Sequence, residues 1–293
     1  MTVGISQPEG LALASEATRG RRWQRIRRTR NLVIGFCMLL VLLLIALLAP
    51  VIAPYDPIEQ DYSATQQAPS LSHPFGTDNF GRDIFSRVLY GTRIDLRVGV
   101  ISTIPPFIIG ILLGSLAAYY AGWIDIFVMR LVDTVQAFPF IVLIIAIVAV
   151  LGPGLTNMYF AVAAVAWIVY ARLIRSEILS EKKREYVIAA RAMGGSDGRI
   201  IFRHLMPNVI TSSIVFSMAD IALYILLAAS LSFLGLGAQP PTPEWGAMIT
   251  EGKSFMTTAW WMSAIPGFAI VITGVAFSFI GDGLSDVLRP GAK

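Results

Sequence analysis

Charge interrupts this chain so rarely that its uncharged stretches decide what it can fold into. They run over 31–55, 98–124, 134–171, 204–219, 221–243 and 254–281. A helix needs about 20 predominantly apolar residues to cross hydrocarbon, and inside hydrocarbon every backbone donor and acceptor must be satisfied by the element itself. The third stretch is too long for one crossing. It is cut by Leu151-Gly152-Pro153-Gly154, a turn signal, and reads as two helices. The fourth and fifth are separated only by Asp220, and together they read as one helix with a buried acid. The expectation is an all-α polytopic membrane protein with six transmembrane helices, near 31–53, 94–120, 126–151, 157–176, 208–236 and 262–286. Composition agrees, with 55% of the 293 residues hydrophobic and 14% charged, against about 25% charge in a soluble domain.

Lysine and arginine placement sets the expected orientation, because basic loops stay on the cytoplasmic side. Seven basic residues lie in 19–30, one at Arg130, eight in 172–203 and two in the tail, whereas the opposite face holds only Arg82, Arg87, Arg93, Arg97 and Lys253. Both termini are therefore expected inside. The first apolar run exceeds the 7–15 residues of a signal-peptide core and reads as an uncleaved helix. The arginines before it read as a topology determinant touching lipid headgroups, and residues 1–18 as a disordered tail. The expected segments are a basic cytoplasmic tail (1–30), a first helix with an extracytoplasmic loop (31–93), a transmembrane core (94–288) and a short cytoplasmic tail (289–293).

The residue inventory excludes several chemistries. Cys37 is the one cysteine and the histidines number two, so neither an intrachain disulfide nor a protein-built metal centre is expected. Ala247-Met-Ile-Thr-Glu-Gly252-Lys253-Ser254 fits a loose phosphate-loop pattern, but no strand precedes it and its backbone is not glycine-rich, so nucleotide binding is not expected. The chain therefore supplies no energy of its own, and if it pumps, something else must drive it.

Between the fourth and fifth spans lies "EYVIAARAMGGSDGRIIFRHLMPN", residues 185–208. Glu185 to Met193 has the alanine content of a short helix, Gly194-Gly195 ends it, Ser196 or Asp197 can cap the next turn, and Pro207 stops the chain before the fifth span. Ala189, Ala190 and Ala192 give a low-relief face that another backbone can approach, so the island reads as a docking surface. In the fifth span Ser213, Ser217, Asp220 and Tyr224 share one helical face, which reads either as a wall of a translocation path or as interhelical hydrogen bonding that holds the bundle together. Gly110, Gly114 and Ala118 form a small-residue face for close helix packing, and Arg130 is expected to pair with Asp133.

The run Ala189-Ala190, three residues, Gly194, nine residues and a block ending in Pro207 resembles the EAA loop of membrane subunits of bacterial ABC importers. Ile188 stands where that pattern has its acid, with Glu185 three residues earlier, and the closing block is His204-Leu205-Met206-Pro207. "HPFGTDNFGRDIFSRVLYGTRIDL" (73–96) and "LSFLGLGAQPPTPEWGAMI" (231–249) resemble the C-type permease subunit of dipeptide, oligopeptide and glutathione importers, and with the island the likeness covers nearly the whole chain from about residue 20. The resemblance implies a MetI-like permease fold in the bacterial inner membrane. Glu185, Ala189, Ala190, Gly194 and Pro207, within a coupling loop over 177–207, would then seat in a separate ATPase. Asp78, Arg82, Asp83, Pro241 and Trp245 would sit in outer loops that meet an extracytoplasmic solute-binding protein, with Trp245 an interfacial anchor. It also implies a transport subunit that is not an enzyme and has no cofactor of its own, a homologous B-type permease subunit, two ATPase subunits that bind the ATP and magnesium, and alternating access. An intramembrane enzyme would need convergent catalytic groups within the spans, and an ion-driven carrier would need more buried charge than Asp220 supplies.

Overall fold

The computed structural model describes residues 7–288, with side chains from residue 30 onward. The short tail expected over 289–293 lies outside those residues, as do the side chains of the arginine-rich segment before Arg30. Ten α-helices are named in chain order: α1 Gln7–Ile52, α2 Ile84–Tyr120, α3 Gly122–Gln136, α4 Phe140–Leu151, α5 Leu155–Glu181, α6 Glu185–Ala192, α7 Asp197–Arg199, α8 Met206–Phe233, α9 Trp245–Gly252 and α10 Trp261–Leu288. A π-helical stretch, Ile200–Leu205, joins α7 to α8. No strand occurs among the described residues.

Five of these are long and apolar enough to cross a membrane: the Arg30–Ile52 part of α1, α2, α5, the continuous Asp197–Phe233 segment and α10. Helices α3 and α4 meet the same criterion only together and are bent by 85°, so the described residues hold five crossings, or six if this pair is one broken span. The sequence reading of 126–151 as one unbroken helix is thereby corrected. Pro139 has no amide to donate and drives Phe138 out of the helical region, so the turn at 137–139 separates two short helices. The disorder expected over 1–18 is corrected for 7–18, where α1 is already helical, and residues 1–6 lie outside the described residues. Alanine, leucine and glutamate there extend a helix that already has its nucleus.

Two further boundaries move. Helix α2 begins ten residues before the expected position 94, because the Asp83 carboxylate accepts hydrogen bonds from the Ser86 amide (2.7 Å) and hydroxyl (2.8 Å) and starts the helix there. Pro207 does not stop the chain. It lies in the first turn of α8, where a missing amide donor costs little, and just before it the Met206 amide reaches back five residues to the Ile201 carbonyl. The Gly152 and Gly154 turn is as expected, with both residues at positive φ.

Helix α2 packs along α5, α1 along α10, and α8 against α2, α5 and α10. Lipid tails are as apolar as leucine, so this packing rests on close contact rather than on exclusion of water. The small-residue face of α2 supplies that contact. A β-carbon on Gly110 or Gly114 would stand 2.4 Å from the carbonyl oxygen of Trp167 or Ala171 respectively, so the two backbones touch where only glycine fits. Asp133 pairs across α3 and α5 with Arg172 (2.8 Å), not with Arg130, and Asp125 takes both donor groups of Arg175 at 2.6 Å each. An acid facing a neighbouring helix is better placed for its arginine than for a cation on its own helix.

Candidate functional site

Helix α6 ends in a complete Schellman motif. Gly194 adopts φ +78°, its amide bonds the Arg191 carbonyl, and the Gly195 amide bonds the Ala190 carbonyl, each at 3.0 Å. A residue with a β-carbon is strained at that angle, so the elbow's shape is fixed by the glycine. Ser196 follows in the N-cap position but makes no side-chain cap bond. Asp197, the other candidate cap, instead accepts the Tyr119 hydroxyl at 2.6 Å.

The elbow is built onto the ends of three helices. Val187, Ile200, Ile201 and Leu205 pack with Ile178 of α5 and with Ala118 and Tyr119 of α2 in one apolar cluster. Lys182 donates to the Ala118 carbonyl (2.7 Å), the Arg191 guanidinium sits 5.3 Å above the Tyr119 ring, and the Tyr186 hydroxyl donates to Glu181 (2.9 Å) and accepts from Asn208 (2.9 Å). Burial, and then the Glu181 carboxylate, push the Tyr186 phenol above its usual range, so it remains a neutral donor. Among the residues proposed to couple, Glu185, Ala189, Gly194 and Pro207 are exposed. Ala190 is not: it faces the chain's own core, so the docking face reads as Ile188, Ala189, Ala192 and Met193. Ile188 is 59% and Met193 82% exposed, an apolar surface that the described residues leave uncovered.

At the opposite end of the bundle the sequence motifs make a buried ionic knot. Arg82 bonds Asp78 and Glu251, each at 2.6 Å, and Arg87 bonds Glu251 at 3.0 Å and the Pro57 carbonyl at 3.3 Å. His73 meets Asp83 at 3.0 Å and stacks on Tyr55. Glu244 caps α9 through the Gly246 and Ala247 amides and also accepts the Ser232 hydroxyl. Trp245 is fully buried, its indole donating to the Val88 carbonyl and its amide to Asp95. A surface role for Asp78, Arg82, Asp83 and Trp245 is thus corrected to an internal one, since all four are under 4% exposed; of the five, Pro241 alone is exposed. Charged and aromatic residues in a loop motif are as able to hold the loop as to present it. Glu251, the centre of the knot, and Glu244 were missed by the sequence reading. The phosphate-loop-like stretch that contains Glu251 lies in α9 and the turn after it, with a loop before it.

The stripe on α8 also points inward. Ser213, Ser217, Asp220 and Tyr224 are all buried within the chain, and Asp220 accepts hydrogen bonds from Tyr170 of α5 (2.5 Å) and Tyr224 (3.2 Å). Their burial favours helix joining over a path wall: Asp220 ties α8 to α5 through Tyr170, Ser217 bonds the Ile214 carbonyl of its own helix, and the exposed side of α8 carries Phe216, Leu223, Leu226 and Phe233. A polar group buried between helices needs partners, and Asp220 has found two.

Comparison with known proteins decides the family. Residues 110–293 match the model for the binding-protein-dependent transport system inner membrane component. The chain belongs to this family. Residues 19–69 match the N-terminal transmembrane domain of oligopeptide transport permease C. The permease is 42% identical over 92% of its length to the dipeptide transport system permease protein of Alkalihalophilus pseudofirmus, of which 89% is covered. It is 45% identical, again over 92%, to the glutathione transport system permease protein of Pectobacterium atrosepticum, of which 90% is covered. It shares the fold of a chain of the MetNI methionine ABC transporter, with a TM-score of 0.56 and 18% identity over 70% of this chain and 97% of that one. It is therefore a multi-pass inner-membrane ABC permease with a MetI-like fold.

Proposed function

We propose that this permease forms one half of the pathway of an ATP-driven importer of small peptides or glutathione-like molecules, and that a separate ATPase subunit works it through the elbow at 185–207. The exposed apolar face of α6 carries the proposal, because it is held by the Gly194 turn and the cluster beneath it yet covered by none of the described residues. A motor can work only through a joint that does not give: moving a two-state equilibrium from 1:99 to 99:1 takes about 5.5 kcal/mol of discrimination between the states. The relatives named for dipeptide and glutathione transport support the substrate class. The complete assembly adds a homologous B-type permease, a second ATPase and an extracytoplasmic solute-binding protein. ATP and magnesium are bound by the ATPases. Both termini and the elbow are cytoplasmic, in keeping with the basic residues of 172–203.

Cysteine crosslinking tests the reading. Met193→Cys in the intact complex is expected to crosslink to an ATPase subunit bearing a cysteine in its membrane-facing cleft, and ATP is expected to change the yield. Absence of any crosslink from Met193 or Ile188 positions in a transporting complex contradicts the assignment.

A further inference from the structure

The elbow is continuous with α8 through the π-helical stretch, so any movement of it is delivered to α8 by the covalent chain. Nothing of the kind joins it to α2, which ends 65 residues before α6 begins. Between them lie the apolar cluster and three polar contacts: Lys182 on the Ala118 carbonyl, Arg191 above the Tyr119 ring, and the Tyr119 hydroxyl on Asp197. Apolar contacts are non-directional and allow sliding. Lys182 belongs to the end of α5, not to the elbow proper, and a cation over a ring tolerates displacement. The 2.6 Å bond to a carboxylate is short, directional and charge-assisted.

The two partners differ in what else explains them. The Tyr119 ring is buried and a phenylalanine would fill the same space, whereas Asp197 is exposed and has no packing to satisfy. The hydroxyl is accounted for by the bond alone. On the α2 side the load is well received, because Gly110 and Gly114 hold the inner half of α2 against the α5 backbone. Just beyond them Pro105 and Pro106 remove two amide donors, which makes that point of α2 the easiest to bend.

We propose that the Tyr119 hydroxyl and the Asp197 carboxylate form the joint through which movement of the elbow reaches the inner half of α2. This rests on the coupling reading above. Both residues are positioning residues: neither touches nucleotide, and their effect is carried by helix movement.

The test uses the complete complex in proteoliposomes and counts substrate moved per ATP hydrolysed. Tyr119→Phe and Asp197→Ala are each expected to lower that ratio about tenfold while the complex assembles in full yield and still hydrolyses ATP. The double variant is expected to be no worse than either single one, because both remove the same bond. A residue that only stabilises the fold would instead reduce assembly and leave the ratio of surviving complexes unchanged. An unchanged ratio in both single variants, or fully additive losses in the double, overturns the joint. Crosslinking from Met193→Cys in the otherwise unaltered complex separates the two claims: a crosslink with an unchanged ratio defeats the joint alone, and no crosslink defeats the coupling reading with it.

Discussion

An acid at the middle of a membrane helix costs about 2.5–3.5 kcal/mol on insertion scales, and Asp220 is placed there because Tyr170 and Tyr224 meet it. Tyr170→Phe keeps the ring contacts with Phe107 and Phe216 and removes only the shorter of the two bonds. It is expected to cost about 1–3 kcal/mol, seen as a lower thermal midpoint of the purified complex; an unchanged midpoint would show that the bond does not hold α5 to α8. The acid itself was visible in the sequence as the one charge in an apolar run. Its partner was not, because Tyr170 is 50 positions away and only the packing of α5 on α8 brings them together. Trp245 was misjudged for a related reason: tryptophan suits an interface and a core equally, and its sequence neighbours do not say which.

At the scale of elements, the knot of Asp78, Arg82, Arg87 and Glu251 ties the 53–83 loop, the start of α2 and α9 together. Breaking a buried pair by removing one charge leaves the others uncompensated, typically at 3–5 kcal/mol. Glu251→Gln is therefore expected to raise hydrogen exchange in 55–83 by about 100-fold, since 1.4 kcal/mol is a factor of ten; protection equal to the native chain's would mean the knot is not what orders the loop. Spans were legible to within a few residues wherever a helix is bounded by charge or by a glycine turn, as at α5 and α10. Legibility failed where a boundary depends on geometry: Pro139 breaks a helix and Pro207 does not, although both are prolines beside apolar runs. The difference lies in position within the turn and in the π-helical stretch before Pro207, neither of which composition records.

For the whole molecule, the family was legible because three long motifs stand in order along the chain, and the relatives at 42% and 45% identity bear this out. The elbow's fold was legible as well, from alanines followed by paired glycines. Which of its faces is free was not, since Ala189 and Ala190 are adjacent and only the packing of α6 on the π-helical stretch decides that Ala190 is turned inward. In the proposed coupling this elbow, held at one angle by Gly194, passes force from a partner ATPase to the permease. Gly194→Val puts a branched side chain at φ +78°, where nothing crowds it but the backbone is strained, at roughly 1–3 kcal/mol. The direct measurement is uptake and ATP hydrolysis side by side in the reconstituted complex. The account predicts that Gly194→Val loses uptake by at least tenfold while hydrolysis continues or the ATPase detaches; full uptake at the native cost in ATP, with the ATPase still bound, would contradict it.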